Sequence, residues 1–261
     1  MKIQATVGIL TFNSEKTLRK TLESVKDFDD ILICDGGSTD ETLNIAKIFN
    51  ARIINQSVAC KNSDGTIADF SCVRNQCLDN AKYDWFLYLD SDETIDETLI
   101  KEIQEISEKN TGVVVYKISP RIIYDGKLIE YSSNYPGWQN RFFNKKTGAR
   151  FIKSVHERID FDKRLIEQIE LSGHWHYFVD KDFDMNKLKK YSLMESKMAF
   201  LKKDRSVFSQ IHQRIKIIFK IFIKSVLNYV FHGFEKTMPI KAELRRIHYN
   251  LLTIFYLITK K

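Results

Sequence analysis

Apolar and polar residues follow one another in short blocks along the first ninety positions of the chain. Lys2 to Thr11, apolar at Val7, Ile9 and Leu10, reads as a strand. Thr11-Phe12-Asn13-Ser14 then turns, and Ser14 can cap a helix to about Lys26 on which Leu18, Leu22 and Val25 share one face. Asp30 to Asp35 reads as a second strand, Gly36 to Thr42 as a turn entering a helix that ends near Phe49, and Arg52-Ile53-Ile54 as a third strand. Strand, helix, strand, helix, strand in so few residues requires crossover connections, so the pattern predicts an α/β, Rossmann-like, doubly wound and mostly parallel sheet. Ser57 to Phe70 is polar and irregular, and Ser71 to Leu78 reads as a helix carrying Arg74 and Asn75.

The next block is the most informative. Trp85 to Leu89 is a short apolar run that stops at Asp90-Ser91-Asp92-Glu93. Such a run reads as a buried strand, and open α/β sheets bind ligands outside the carboxyl ends of their strands. If the extended backbone continues, Asp90 and Asp92 point to the same side. Two converging carboxylates repel unless a cation lies between them, and a hard, phosphate-binding divalent ion suits them. An acidic start to the amphipathic stretch Thr98 to Ile106 is the competing reading. Gly36-Gly37 could likewise cradle a phosphate or serve only as a tight β-to-α connection.

Charge changes the picture at the C-terminus. The net charge is +7, yet residues 181–261 alone carry an excess of twelve positive charges, leaving the preceding body acidic. Two helices are predicted here, Asp184 to Phe200 and Val207 to Phe231. In the second, His212, Lys216, Lys220, Lys224, Asn228 and His232 recur every four residues among Ile, Phe and Val. The lysines argue against a spanning helix, and their stripe fits a helix lying in a membrane interface; a core helix is the alternative. No reading-helix motif is present, so nucleic acid is not the expected partner. The four cysteines show no metal-ligand spacing, and Cys34 in its apolar strand reads as reduced, in a reducing compartment. Val7 to Leu10 is too short for a signal peptide, and the expected location is the cytoplasm, peripheral on the inner face of the cell membrane.

Thr11-Phe12-Asn13, Asp35-Gly36-Gly37-Ser38-Thr39-Asp40, Val73-Arg74-Asn75 and Leu89-Asp90-Ser91-Asp92-Glu93 occur in the order and spacing of family 2 glycosyltransferases, which the chain resembles. Tyr135-Pro136-Gly137-Trp138, Arg141-Phe142-Phe143, Val155-His156-Glu157 and His176-Tyr177, with the basic tail, look like the subgroup that builds lipopolysaccharide cores and similar cell-surface glycans. The resemblance implies a GT-A catalytic domain over 1–180, with a nucleotide-sugar half to about 110 and an acceptor half from 111, followed by a basic amphipathic helical region, 181–261. It implies that Thr11, Phe12, Asn13, Asp35, Arg74 and Asp90 bind the nucleotide sugar. Asp90, Asp92 and His176 would hold Mn²⁺ or Mg²⁺, and Glu157 would be the general base. UDP is the nucleotide the resemblance implies, but Gly36 stands where many members carry a second aspartate, so the base-reading carboxylate is absent and the nucleotide base stays open. The Q-x-x-R-W signature of polymerising members is missing, so transfer of a single sugar is expected.

Chemistry asks for the same residue types. Charge builds on a diphosphate leaving group and a divalent ion stabilises it, while the acceptor hydroxyl loses a proton to a carboxylate within hydrogen-bond reach. Glu157 can do this or pair with Arg158 or Lys153 at the surface. Trp138 could stack on a sugar face or simply be a core residue, and Arg141 suits an anionic group on the acceptor. His174 and His176 lack a third ligand at zinc spacing. The expected function is an inverting, metal-dependent transfer from a UDP-sugar to a lipopolysaccharide-type or lipid-linked acceptor. The rival is a non-catalytic, membrane-associated glycan- or nucleotide-binding protein on a degenerate transferase fold.

Overall fold

The computed structural model describes residues 2–109, 114–154, 157–179, 185–201 and 206–259. They divide into two compact units, Met1–Arg121 with Pro136–Tyr177, and Ile122–Tyr135 with Phe178–Lys261.

The first unit opens as the blocks predict. Strands β1 (Ile3–Thr11), β2 (Phe28–Asp35), β3 (Arg52–Asn55) and β4 (Trp85–Asp90) alternate with helices α1 (Leu18–Ser24), α2 (Thr42–Ile48) and α3 (Phe70–Asp79). They line up as β3-β2-β1-β4, all parallel. Helix α1 starts later than the Ser14 cap suggests: Ser14 closes a turn by accepting Leu18 N–H, and the N-cap is Thr17. After β5 (Glu93–Ile95) and α4 (Glu97–Lys109), the chain supplies β6 (Val114–Tyr124), β7 (Lys127–Ile129), β8 (Gln139–Asn144), the hairpin β9 (Arg150–Ile152) with β10 (Arg158–Asp160), and β11 (Glu167–Val179). These extend the sheet past β4 in the order β8-β6-β11-β5, with antiparallel pairing of β8 to β4 and to β6 and of β5 to β11.

Side chains alternate across a strand, and both faces of the parallel sheet are buried, which is why its strands are nearly continuous apolar runs. Val7, Ile9, Trp85, Leu87 and Leu89 pack on one face with Leu18, Leu22 and Leu99. Leu10, Leu32, Phe86 and Tyr88 pack on the other with Val73, Cys77 and Phe143. Each large side chain buried this way contributes about 1.5–3 kcal/mol. The same alternation assigns Asp90, two residues after Tyr88, to the α3 face.

The cysteines divide into a free pair, which includes Cys34 as expected, and a bridged pair. Cys60 and Cys72 form a disulfide, their Cα atoms 5.6 Å apart, while Cys34 and Cys77 are free and buried. The irregular segment folds back on itself through a Lys61–Ile67 bridge, which delivers Cys60 to the start of α3; linear spacing does not reveal this. Burial pushes the Cys34 thiol up to about 11, so it stays protonated.

In the second unit, α5 (Met185–Leu201), α6 (Val207–His232) and α7 (Ile240–Thr259) join the β7 hairpin. Residues 122–135, which a linear division at 180 would assign to the acceptor half, belong here because Glu130 and Tyr131 donate their backbone N–H groups to the Lys236 carbonyl. Buried Glu243 accepts Ser133 N at 2.8 Å and Ser133 Oγ at 2.6 Å, and Arg214 pairs with Glu195 between α6 and α5. Helix α6 leaves Phe219, Phe222, Val226, Val230 and Phe231 exposed. No helix of the described residues is long and apolar enough to cross a membrane.

Candidate active site

The parallel register brings four strand ends together. Leu10 lies opposite both Cys34 and Asp90, Thr11 opposite Asp35, and Asp35 opposite Asn55. Asp35, expected at the floor of a nucleotide pocket, is buried and fully engaged. Its carboxylate accepts Thr11 Oγ1 at 2.7 Å, Gly37 N at 2.8 Å, and Ser38 N and Oγ at 2.7 and 2.6 Å. Burial alone would raise its pKa, but these donors outweigh burial and hold it below the usual carboxylate range. Asp35 therefore ties the β2–α2 turn, in which Gly37 takes a positive φ of 100°, to the end of β1. Asn13 completes the knot by accepting Thr39 N at 2.8 Å, and Phe12 projects from it with its ring exposed.

Asp90 and Asp92 do not share a side, because the backbone turns at Ser91-Asp92 instead of staying extended. On the α3 face, buried Arg74 holds the half-exposed Asp90 through Nη2, the Leu89 carbonyl through Nη1 at 2.9 Å, and Glu157 Oε1 through Nε at 3.2 Å. Burial opposes the charge on Arg74, but Asp90 and Glu157 more than compensate, so the guanidinium stays protonated. Burial likewise raises the Asp90 pKa, and the charges of Arg74 and Arg141 overcome it, keeping the carboxylate ionised. Arg74, Tyr88, Asp90, Trp138 and Glu157 line one cavity of about 480 Å³. Val155 and His156, which precede Glu157, lie outside the described residues.

A second cavity, of about 600 Å³, lies beside the β1 turn and is lined by Asn13, Ser14, Thr39, Asp40, Ser91 and Asp92. Ser14 Oγ and Ser91 Oγ, 2.9 Å apart, link its two walls. His176 is in β11, opposite Thr94 of β5 and half-buried. Asp90, Asp92 and His176 are thus not brought together, and among the described residues no three His, Cys, Asp or Glu side chains are placed to hold a metal ion. The donor chemistry still fits a hard divalent ion: Asp92 offers exposed carboxylate oxygens in an oxygen-rich cavity. Mg²⁺-type ions need only one or two carboxylates when phosphates and water supply the remainder.

Arg141, expected to face the acceptor, lines the cavity that holds Glu157, but it is buried, donates both terminal nitrogens to Glu93 (Nη2 to Oε1 at 3.0 Å), and stacks 3.8 Å over the Trp175 ring. Glu93 in turn accepts Asp90 N at 2.8 Å. The third acid of the motif is therefore an anchor for the turn, with Arg141 as its counter-ion. Tyr88, unremarked in the sequence, lies between Arg74 and Arg141 at 5.1 and 4.9 Å from their guanidinium carbons; its place two residues before Asp90 was the available signal. Trp138, about one-third exposed, lines the same cavity.

The sequence pattern of this site is shared. Residues 6–165, more than half of the chain, match the model of the glycosyl transferase family 2. The chain belongs to that family. Its α/β sheet, parallel over the nucleotide half and extended by antiparallel strands, is the GT-A fold. Among its relatives in the family, the SPbeta prophage-derived glycosyltransferase SunS of Bacillus subtilis is 28% identical over 153 residues, covering 58% of this chain and 34% of SunS. An uncharacterized glycosyltransferase of Rickettsia typhi is 30% identical over 161 residues, covering 59% of this chain and 52% of the relative. The chain thus spans about a third to a half of the length of these curated relatives. The crystal structure of S. aureus TarS 1–349 with UDP-GlcNAc superimposes with a TM-score of 0.46 at 15% identity, over 97% of this chain and 82% of that one.

Proposed function

We propose that this chain transfers one sugar from a nucleotide sugar, a UDP-sugar, to a lipid-linked or lipopolysaccharide-type acceptor with inversion. The observation that carries the reading is the single cavity in which Glu157, Arg74, Asp90 and Trp138 meet. Glu157 is mostly buried yet lines that cavity, so an acceptor hydroxyl stacked near Trp138 can pass its proton to the carboxylate as it attacks. Arg74 fixes the orientation of Glu157 from the Nε side, and Glu93 with Arg141 fixes the turn between the two cavities. A single direct displacement needs no protein nucleophile, which supports inversion. Asp92, in the oxygen-lined cavity beside the β1 turn, would hold Mn²⁺ or Mg²⁺, which when bound would supply Lewis-acid stabilisation of the diphosphate leaving group.

The acceptor class and location rest on α6. Its exposed apolar stripe, flanked by Lys216 and Lys220, supports seating on an anionic membrane surface, and we place the protein on the cytoplasmic face. Lys224 is excepted, since its Nζ donates to the Tyr135 carbonyl at 2.8 Å.

The test is thermal unfolding of the full chain with UDP, GDP and CDP, each with and without Mn²⁺, followed by hydrolysis and transfer assays with UDP-sugars. A ligand bound only by the folded state raises the midpoint by mass action. A metal-dependent rise with turnover supports the reading. Binding without hydrolysis of any UDP-sugar favours a binding module, and no response to any nucleotide overturns the donor site.

A further inference from the structure

We infer that Gln56 reads the nucleobase of the donor, accepting a hydrogen bond from a ring N–H that stands beside a carbonyl, as in uracil. This rests on the donor-site reading above and adds the residue that sets its base preference.

The residues that follow the three adjacent strands β1, β2 and β3 are Phe12, Gly36 and Gln56, and they meet at one point. A Cβ on Gly36 would lie 3.1 Å from Phe12 Cδ2 and 3.2 Å from Gln56 Oε1. Gln56 is only 6% exposed. Its Nε2 donates to the Cys34 carbonyl at 3.1 Å and the Thr11 carbonyl at 3.5 Å, which fixes the amide orientation. Its Oε1 is buried with no hydrogen-bond partner. Buried polar atoms are nearly always paired, so an orphaned acceptor at a strand-end site calls for a ligand that pairs it.

The surroundings state which ligand. Phe12 is 63% exposed, so its ring can swing aside at little packing cost and offer a face to a base. Lys61 Nζ donates to the Gly36 carbonyl at 2.7 Å and has two further N–H donors. An acceptor from Gln56 and a donor from Lys61, each set against Gly36, complement a ring N–H next to a carbonyl. Uracil presents that pair as N3–H and O4, and guanine as N1–H and O6. Cytosine and adenine present an unprotonated ring nitrogen there, which would leave Oε1 unpaired and facing a lone pair. A site built on a hydrogen bond rejects ligands that lack the matching group far more strongly than one built on shape.

The experiment is calorimetric titration of the full chain, with Mn²⁺ present, using UDP, GDP, CDP, ADP and UDP methylated at N3. Expected is a preference for UDP over CDP and ADP, and a loss of at least about tenfold in affinity on N3 methylation. Gln56→Leu should lower UDP affinity about tenfold while leaving CDP unchanged. The methylated nucleotide needs no variant, so it decides the matter even if Gln56→Leu fails to fold. Tighter binding of GDP than UDP, with CDP weak, supports Gln56 as the reader and replaces uracil by guanine in the proposed donor. Equal binding of all bases, or of UDP and its N3-methyl form, overturns the role of Gln56 while leaving the donor site standing. Failure of every nucleotide to bind removes the donor site and this inference together.

Discussion

Arg74 Nε donates to Glu157 Oε1 at 3.2 Å, joining a helix of the nucleotide half to a residue 83 positions further along the chain. The same guanidinium holds Asp90, so the carboxylate proposed as base and the first acid of the D-x-D turn share one cation. Glu157→Gln is expected to lower turnover about 10²–10⁴-fold while leaving UDP affinity within a few-fold of the parent. Single-turnover transfer with calorimetric binding checks this, and an unchanged rate removes Glu157 as the base.

Asp92 should be separable from the fold. It is exposed on its turn and Asn keeps its shape, so Asp92→Asn is expected to move the unliganded thermal midpoint by no more than about 2–4 °C, the equivalent of about 1 kcal/mol for an exposed polar contact. The Mn²⁺-dependent part of the UDP-induced rise should disappear. Full metal dependence in the variant would assign the ion to other ligands.

Glu93 should behave in the opposite way. It and Arg141 are both buried and paired, and removal of one charge strands the other. Glu93→Gln is expected to destabilise by about 3–5 kcal/mol, read as a lower urea midpoint, whereas Glu93→Leu with Arg141→Met should recover part of the loss. A cost for Glu93→Gln below about 1 kcal/mol would show that the pair does not anchor the turn.

Two histidines give a pH signature. Burial depresses the pKa of His174 and of His176, assisted by Arg121 and opposed by Asp96. Because the unfolded histidines protonate first, near 6.5, the contribution to stability is complete above that pH and is lost as pH falls through the depressed folded values. The thermal midpoint should therefore decline below pH 6.5, and the double variant His174→Gln/His176→Gln should flatten that decline. An identical slope in the double variant would assign the dependence to carboxylates.

For the C-terminal unit, Phe219→Ser with Phe222→Ser on α6 should reduce cosedimentation with anionic vesicles without changing the thermal midpoint, since both rings are exposed. Unchanged binding would leave the exposed face for another partner.

The parallel half of the fold was legible because its strands are apolar blocks interrupted by helix caps, and the D-x-D strand ends where the apolar run ends. The antiparallel extension was harder to read. Strand β6 mixes Lys117 and Arg121 into its length, and β11 is polar at alternate positions, so neither stands out as an apolar run. Helix α7 was also hard to read, because Arg245, Arg246 and His248 interrupt its apolar pattern. Within the site, the residue types were visible but their partners were not. A sequence shows that Arg141 is basic and that Glu93 is acidic, yet only the pairing of β8 with β4 brings them into contact. Gln56 gave no signal at all, because its significance lies in an amide oxygen left over after the nitrogen has been used.

The bridge between Cys60 and Cys72 has a practical consequence. It joins positions twelve apart in the sequence, closing a loop that contains Lys61 and ends on the helix bearing Arg74. Opening such a loop returns conformational freedom to the segment flanking Gly36, so samples kept in dithiothreitol and samples kept in air are two distinct reagents. Affinities measured on one cannot be carried over to the other, and the thiol state of each preparation belongs beside every binding constant.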